Sequence, residues 1–169
     1  ANKYNIEVEE TERTPEQISE DNEKESLFLV SDFAKNYFKK NLFEEEGKTI
    51  ALSYLKERKF KKDIIEKFEI GYSVKIKDDF SKAALDAGYK LNFLEKTGLT
   101  IVKDSENIDR FRGRVIFPIK SMSGRILGFG GRILGSSKNL AKYINSPESL
   151  IYKKSKVLYG IFESKQSIV

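Results

Sequence analysis

The sequence contains no cysteine and no histidine. Disulfide bonds are therefore excluded, and so are the usual zinc sites, which are built from cysteine and histidine side chains. Catalysis by a cysteine nucleophile or by a serine–histidine–aspartate arrangement is excluded for the same reason. An active site made from these 169 residues alone would need carboxylates, lysine, tyrosine or a bound divalent ion.

Long hydrophobic runs are also missing. No segment approaches the roughly 18 apolar residues of a membrane-spanning helix, and residues 1–5 lack the basic and apolar regions of a secretion signal. We therefore expect no membrane partner and a cytoplasmic location. A start without Met is typical of an excised fragment. Hydrophobic residues still make up 39% of the chain, which is enough for the packed core of a single domain.

Acidic side chains are scarce in the second half of the sequence. Residues 110–156 contain eleven Lys or Arg and one acidic residue, Glu148, whereas residues 1–25 contain nine acidic residues and three basic ones. Because guanidinium groups bind phosphates in a bidentate way, the arginine-rich stretch favours a polyanion partner over an ordinary solvated face. The carboxylates are scattered along the first half, so we assign no catalytic residue and no metal site in this chain.

Apolar spacing of three and four residues predicts helices in the first half. Thr14 followed by Pro15 is a typical helix start, and an apolar stripe continues from Leu27 to Leu42. This helix is expected to end near Leu42, and Gly47 then breaks the pattern. Further helices are predicted over residues 49–58, 61–68, 78–87 and 92–97, the last two closed by Gly88 and Gly98. The stripe of the second helix, which includes Tyr54, is assigned to the core.

After residue 98 the pattern becomes that of strands. Residues 99–102 and 115–117 are rich in β-branched and aromatic side chains. A turn at residues 121–124 is expected to fold residues 125–129 back antiparallel to the second strand. Pro118 indicates an edge or the end of that strand.

This order of elements predicts an α+β fold in which N-terminal helices are followed by a small, twisted, mainly antiparallel sheet. We divide the chain into an acidic N-terminal segment or linker (1–24), a helical part (25–98) and a basic β-rich part (99–169). Within the first of these, residues 1–13 are expected to be a tail or a loosely held strand.

Three arginines alternate with other residues at Arg110, Arg112 and Arg114. If the segment is extended, all three lie on one face, where the guanidinium groups repel one another unless anions bind between them. The alternative is an edge strand whose charges prevent aggregation, a purpose that lysine usually serves. We favour the anion-binding interpretation.

Glycines at positions 128, 130 and 131 precede Arg132. One interpretation is a phosphate-binding loop, because glycine allows the backbone to approach an anion closely. The segment matches neither a Walker A motif nor a full dinucleotide fingerprint. A twisted or bulged strand that needs glycine is at least as well supported.

Residues 142–148 (KYINSPE) combine a cation, an aromatic ring and an amide beside a turn. In an extended segment Lys142 and Ile144 face one way, and Tyr143 and Asn145 face the other. Tyr143 could stack on a base, Asn145 could bind a phosphate or a base edge, and Lys142 could neutralise the backbone. The alternative is that Tyr143 and Ile144 simply anchor the segment in the core.

Taken in order, four motifs resemble the series found in bacterial DnaG-type primases. They are residues 109–119 (DRFRGRVIFPI), 124–132 (GRILGFGGR), 142–148 (KYINSPE) and 158–160 (LYG). Weaker similarity extends upstream through residues 51–58 and 68–72, so the resemblance covers about residues 25–165.

The resemblance implies the N-terminal subdomain of an RNA polymerase core, cut off before a Toprim subdomain that holds Mg²⁺ through Glu and Asp. The family's zinc-ribbon module, which holds Zn²⁺, is absent as well, in agreement with the lack of cysteine and histidine. Eight residues would then contact nucleic acid or nucleotides. They are Arg58, Arg110, Arg112, Arg132, Lys142, Tyr143, Asn145 and Lys154, with Lys153 and Lys156 as alternatives to Lys154.

By the same resemblance, the parent protein is expected to be a nucleotidyltransferase that makes RNA primers for DNA replication. Its partners would be the single-stranded DNA template, the RNA–DNA hybrid, ribonucleoside triphosphates and the replicative helicase. This chain alone would be inactive, because the Toprim carboxylates are missing. Two alternatives remain: a stand-alone module that binds single-stranded nucleic acid, and a protein-docking domain whose basic face is incidental.

Overall fold

The computed structural model describes residues 12–135 and 139–156. Nearly all of the expected N-terminal tail lies outside the described residues, and so does the LYG motif at 158–160. Most helices precede the strands along the chain, which confirms the α+β class predicted from the sequence. Within the two described ranges, no helix is long and apolar enough to cross a membrane.

A 28-residue helix, α1, spans Pro15–Leu42. Thr14 begins it as the sequence predicts. The Thr14 hydroxyl accepts a hydrogen bond from the backbone N–H of Gln17, and the Gln17 side chain accepts one from the backbone N–H of Thr14, which is a capping box. The buried stripe begins at Leu27. The boundary predicted after residue 24 falls inside this helix, so residues 15–24 continue directly into the helical part.

The first half of α1 is tied to the rest of the molecule by ion pairs. Glu23 lies 2.7 Å from the Lys96 ammonium group, and Glu25 lies 2.7 Å from the guanidinium of Arg125. The same guanidinium stacks over the ring of Phe28, 3.8 Å from its centroid. Because these pairs are substantially exposed, water and salt screen them, and they contribute little to the free energy of unfolding.

A second helical segment follows after a break at residues 43–44. Gly47–Leu52 forms a π-helix that continues directly into helix α2, Ser53–Glu57. The predicted end of the first helix near Leu42 is confirmed. Gly47 does not break the helical pattern, because it is buried inside the second segment. A Cβ atom there would lie 2.0 Å from the carbonyl oxygen of Asn41. The missing side chain therefore lets the π-helix pack against the end of α1. Helix α3 follows at Lys62–Lys67.

Helices α4, Asp79–Asp86, and α5, Leu91–Lys96, agree with the predicted helices to within one residue at each end. Gly88 and Gly98 follow them with φ angles of +98° and +76°, as expected for left-handed C-terminal caps.

Strands β2, Thr100–Lys103, and β3, Glu106–Asp109, form a separate antiparallel hairpin. Its last residue, Asp109, holds the start of α4. The buried carboxylate accepts hydrogen bonds from the backbone N–H groups of Phe80 and Ser81, at 2.7 and 2.9 Å. Burial raises the pKa of the Asp109 carboxyl.

The main sheet has four strands in the order β1–β4–β5–β6, and every neighbouring pair is antiparallel. The strands are β1 Gly71–Ser73, β4 Arg114–Lys120, β5 Ile126–Ile133 and β6 Tyr143–Asn145. The predicted β4–β5 hairpin is confirmed, and both of its strands are longer than predicted. Residues 114–120 pair with residues 126–133, and the register shifts between Ile119 and Lys120, where Leu127 is skipped.

Pro118 does not end β4, which continues to Lys120. Proline lacks the N–H group needed in a strand that is paired on both sides. Strand β1 pairs with β4 only as far as Ile116, so within the described chain Pro118 is paired on one side only, with Phe129 of β5. The strand is therefore a local edge at this position.

Side-chain alternation gives the sheet two different faces. We call the side that carries Ile116, Phe129 and Ile144 the inner face. It packs against helices α1 and α4 through Phe38 and Phe80, and it forms one hydrophobic core.

The opposite side, the outer face, carries Tyr72 and Val115 at one end. These two residues are buried with Leu55 of α2 and Ile65 of α3 in a second core. Further along β4 and β5, the outer face borders a depression on the surface of the protein. The fold therefore uses one side of the sheet for the main core, and it divides the other side between a core and a surface.

Candidate nucleic-acid interface

The depression on the outer face has a volume of about 400 Å³. Phe117, Ile119 and Gly130 contribute its apolar floor, and Tyr143 and Asn145 of the edge strand β6 contribute one wall. Gly130 keeps the floor open, because a Cβ atom there would lie 3.1 Å from the side-chain oxygen of Asn145. An apolar floor with polar groups at the rim suits a flat ring that carries polar substituents.

The side chains of the wall alternate between the two faces of the sheet, as the sequence predicts for residues 142–145. Ile144 packs against the inner core, and the Tyr143 side chain is 64% exposed on the outer face. Asn145 is exposed on the same face as Tyr143, opposite Gly130 in the register. The alternative, in which Tyr143 is buried in the core, is therefore wrong.

Arg132 lies on β5 directly opposite Tyr143. Its guanidinium carbon is 5.2 Å from the centroid of the Tyr143 ring and 5.2 Å from that of Tyr54. Its Nε donates a hydrogen bond of 3.1 Å to the Tyr143 hydroxyl, and its Nη1 donates one of 2.6 Å to the carbonyl oxygen of Ile133. Arg58 continues this row, with its guanidinium carbon 5.1 Å from the Tyr54 ring.

The alternating arginines 110, 112 and 114 do not share one strand face. Residues 110–113 form a turn, and β4 begins only at Arg114. Gly113, with a φ of +72°, makes this turn possible. The prediction of an extended segment with all three guanidinium groups on one face is therefore wrong, because alternation requires a continuous strand.

Two of these arginines bind backbone carbonyl groups at β6. Arg110 donates hydrogen bonds of 2.8 and 3.3 Å to the carbonyl oxygen of Asn145. Arg114 is buried, and it donates longer hydrogen bonds, of 3.4 and 3.3 Å, to the carbonyl oxygens of Gly131 and Lys142. Burial lowers the pKa of both side chains, and the charge of Arg110 lowers that of Arg114 further. Both side chains therefore hold the edge strand in place.

Arg112 and Lys142 have a different environment. Both side chains are exposed, and neither donates a hydrogen bond to another described residue. Cations of this kind are available to a ligand without first breaking a contact in the protein.

Lys154 borders the depression opposite β6, together with the buried Tyr152. It begins a short 3₁₀-helix, Lys154–Lys156, and its backbone N–H donates a hydrogen bond of 3.0 Å to the carboxylate of Glu148. Lys153 and Lys156 are exposed but do not line the depression. The geometry thus distinguishes Lys154 from its neighbours, which the sequence alone does not.

The glycine-rich segment is part of strand β5 and not a loop. The phosphate-binding-loop interpretation is therefore wrong, and the strand interpretation is confirmed. Gly131 is required by packing, because a Cβ atom there would lie 2.7 Å from the ring of the buried Phe111.

Several residues of the site were not predicted as site residues, among them Tyr54, Phe117, Ile119 and Tyr152. Tyr54 is part of a helical stripe, which by itself indicates a core position. No local pattern marks Phe117 or Tyr152, since their place at the depression depends on contacts between distant segments. Among residues 12–135 and 139–156, no three Asp or Glu side chains come together as a possible metal site.

Comparison with known proteins identifies close relatives. The family model described as "DNA primase catalytic core, N-terminal domain" matches residues 37–165. A DNA primase of Halalkalibacterium halodurans is 38% identical over 160 residues, which cover 93% of this chain and 26% of that protein. This chain therefore spans about a quarter of the length of the curated relative.

Solved structures show the same fold. A DnaG primase catalytic domain bound to single-stranded DNA has a TM-score of 0.80 at 32% identity, over 86% of this chain and 46% of that one. The RNA polymerase domain of Mycobacterium tuberculosis primase DnaG, in complex with a double-stranded DNA oligomer with a 6-nucleotide overhang, has a TM-score of 0.79 at 33% identity. That match covers 85% of this chain and 45% of that one.

Proposed function

This chain belongs to the family of DNA primase catalytic core N-terminal domains, and on that premise we propose that it is the template-handling part of a longer DNA primase. The parent protein is proposed to be a cytoplasmic nucleotidyltransferase that makes RNA primers for DNA replication. This chain would guide the single-stranded DNA template and the RNA–DNA hybrid along its outer face. Because the curated relative is about four times longer, the activity and partners of the whole protein are part of the proposal.

The observation that carries the proposal is an exposed aromatic ring surrounded by cations. Tyr143 is 64% exposed and contacts Arg132, and Lys154 lies across the depression. Single-stranded nucleic acid binds to such surfaces because its bases stack on aromatic rings while cations neutralise its phosphates. The exposed Arg112 and Lys142 would extend the phosphate contacts along the edge of the sheet.

The division of labour within the parent protein follows from the ligands this chain offers. Polymerisation of ribonucleotides requires clustered carboxylates that hold Mg²⁺, and no such cluster occurs among the described residues. From the resemblance to DnaG-type primases, we propose that a Toprim subdomain of the parent protein holds Mg²⁺ and that a zinc ribbon holds Zn²⁺, and we derive no step through either metal. Ribonucleoside triphosphates and the replicative helicase are proposed partners of the parent protein.

The proposed roles within this chain follow its division into a helical part and a basic β-rich part. The basic part, residues 99–169, would bind nucleic acid, and the helical part, residues 25–98, would support it and contribute Arg58. We expect no primer synthesis by this chain alone on a single-stranded template with ribonucleoside triphosphates and Mg²⁺. RNA products in that assay would contradict the division of labour.

Binding is tested by fluorescence anisotropy of a labelled single-stranded DNA titrated with this chain over a series of salt concentrations. We expect weak binding whose log–log salt slope is about −2 to −4, as for about three to five phosphate contacts. The double variant Arg112→Glu/Lys142→Glu should bind at least about tenfold more weakly, with a shallower slope.

The matched control is Lys90→Glu/Lys103→Glu, which changes the net charge equally at two exposed lysines outside the main sheet, one before α5 and one in β2. Its affinity should stay much closer to that of the original chain. Equal losses in the two double variants would contradict the proposed surface. Tight binding without any partner would favour the stand-alone module, and no salt-dependent binding would favour the protein-docking domain.

A further inference from the structure

Tyr54 lies on helix α2, where its ring touches two guanidinium groups at once. The guanidinium carbon of Arg58 is 5.1 Å from the ring centroid, and that of Arg132 is 5.2 Å from it. The ring of Tyr54 also packs against the second core, on the outer face of the sheet, and this contact fixes its position. Arg58 follows Tyr54 by one helical turn, whereas Arg132 comes from strand β5.

Two cations on one tyrosine need a physical explanation, because like charges repel. The negative face of an aromatic ring attracts a guanidinium group, and a ring between two such groups offsets part of their repulsion. An exposed contact of this kind changes an equilibrium constant by about two- to fivefold, and a desolvated one by about thirtyfold. Tyr54 is therefore suited to keep Arg58 and Arg132 close together before any phosphate binds.

The hydrogen bonds of Arg132 show how many of its N–H donors remain available to a ligand. A guanidinium group has five N–H donors, and Arg132 uses one on the Tyr143 hydroxyl and one on the carbonyl oxygen of Ile133. Within the described chain this leaves three N–H donors on a group that is held by two rings. A phosphate can accept two of them at once in the bidentate geometry that arginine favours.

We propose that Tyr54 is a positioning residue of the nucleic-acid interface: it does not touch the ligand, but fixes the guanidinium groups of Arg132 and Arg58 for binding phosphate. This inference rests on the proposed function. It extends the interface from the strands to helix α2, a part of the chain whose stripe indicates only a core role. Fixing a guanidinium in advance strengthens binding, because less rotamer freedom is lost when the phosphate arrives.

The test is a double-mutant cycle on the affinity for single-stranded DNA, with Tyr54→Leu, Arg132→Gln and both changes together. Tyr54→Leu should weaken binding about five- to twentyfold, as for the loss of one to two cation–ring contacts. Tyr54→Phe keeps the ring and should bind within about twofold of the original chain. In the Arg132→Gln variant, adding Tyr54→Leu should weaken binding by less than about threefold, because one of the two guanidinium groups that contact Tyr54 is already missing.

A matched control separates positioning from stability. Tyr89 is another half-buried tyrosine, whose ring packs on Phe33 at 4.9 Å in the inner core. Tyr89→Leu should lower the Tm at least as much as Tyr54→Leu, yet leave the affinity for DNA unchanged. Loss of affinity in both variants, in proportion to their Tm values, would show that Tyr54 has only a structural role.

A second measurement does not require DNA. The side-chain Hε resonance of Arg132 in the ¹H–¹⁵N spectrum should be shifted upfield by the rings, and it should move downfield in Tyr54→Leu but not in Tyr54→Phe. If the original chain binds no single-stranded DNA, the proposed function fails whatever this resonance does. The role of Tyr54 alone is overturned if the original chain binds DNA and Tyr54→Leu binds equally well. The same conclusion follows if Tyr54→Leu weakens binding by the same factor with Arg132 present and with Arg132→Gln.

Discussion

The inner and outer faces of the main sheet differ in what covers them, although they alternate along the same strands. On the inner side, Phe129 of β5 and Phe111 of the turn before β4 share one core with Phe38 of α1 and Phe80 of α4, and all four are at most 2% exposed. The outer face is buried where β1 and β4 carry Tyr72 and Val115. In the same row of the sheet, on the edge strand β6, it carries the 64% exposed ring of Tyr143. A strand that alternates can thus supply a core and a binding surface at the same time.

The arginines show the same contrast. Arg110 and Arg114 bind backbone carbonyl groups at β6, whereas Arg132 and Arg58 stack on a tyrosine, and Arg112 is exposed. One basic stretch of sequence therefore contains side chains that build the edge strand and side chains that are available to a ligand. Charge density alone does not separate these two uses.

The largest expected difference between the faces is in the cost of removing a ring. Phe129→Ala should lower the free energy of unfolding by about 3–5 kcal/mol, because it leaves a cavity between Phe38 and Phe111. Phe117→Ala, on the partly exposed outer face, should cost only about 1–2 kcal/mol. Urea denaturation followed by circular dichroism measures both values. Equal costs would show that the outer face is packed as tightly as the inner one.

Alanine substitutions at Gly131 on the inner face and Gly130 on the outer face compare how tightly the two faces are packed. Gly131→Ala should destabilise the protein by about 1–3 kcal/mol, because the new Cβ would meet the buried ring of Phe111 at 2.7 Å. The closest contact of a Cβ at Gly130 is the exposed Asn145 side chain, at 3.1 Å, and the next are at 3.9 Å or more. Gly130→Ala should therefore change stability by about 0.5 kcal/mol or less.

The affinity for single-stranded DNA should change in the opposite order. Gly130→Ala narrows the depression and should weaken binding, whereas Gly131→Ala should affect binding only through stability. Thermal denaturation and anisotropy on the same two samples distinguish the effects. A Gly130→Ala variant that is strongly destabilised but binds normally would place the binding surface elsewhere.

A smaller effect than that of Phe129→Ala is expected at an ionic cluster where α1, β1 and β4 meet. Glu69 accepts contacts from the ammonium groups of Lys35, Lys39 and Lys120 at 3.4, 3.0 and 2.9 Å. Burial alone would raise the pKa of Glu69, but the three lysines lower it from its ordinary 4.5 to about 2. The lowered pKa means that the cluster stabilises the fold above about pH 4.5, and that this contribution is lost as the pH falls towards 2.

Glu69→Gln should therefore be less stable than the original chain by about 1–2 kcal/mol at pH 7, after allowing for partial exposure of the cluster. The difference should disappear as the pH approaches 2. Urea denaturation between pH 2 and 7 measures it. The exposed pair of Glu106 and Lys77 is the control, and Glu106→Gln should cost less stability than Glu69→Gln at pH 7. A constant deficit for Glu69→Gln at every pH would mean that the charge of Glu69 is not what stabilises the cluster.

Most of the fold could be predicted from local signals. The cap at Thr14, the left-handed glycines after α4 and α5, and the β4–β5 hairpin each depend on a few neighbouring residues. Gly47 shows where such signals fail. A glycine usually interrupts a helix, but here its missing side chain is needed for contact with Asn41, which belongs to another helix. The turn at residues 110–113 likewise replaces the predicted strand because Gly113 adopts a left-handed conformation.

The sequence by itself determined the α+β class, the absence of cysteine and histidine chemistry, and the residue types from which a phosphate-binding surface can be built. These properties depend on composition and on short-range periodicity. Only the tertiary structure decided which cations face a ligand and which hold β6, that Lys154 borders the depression, and that Tyr54 meets Arg132. Those outcomes depend on contacts between segments far apart in the chain, such as α2 with β5, and no local pattern encodes such contacts.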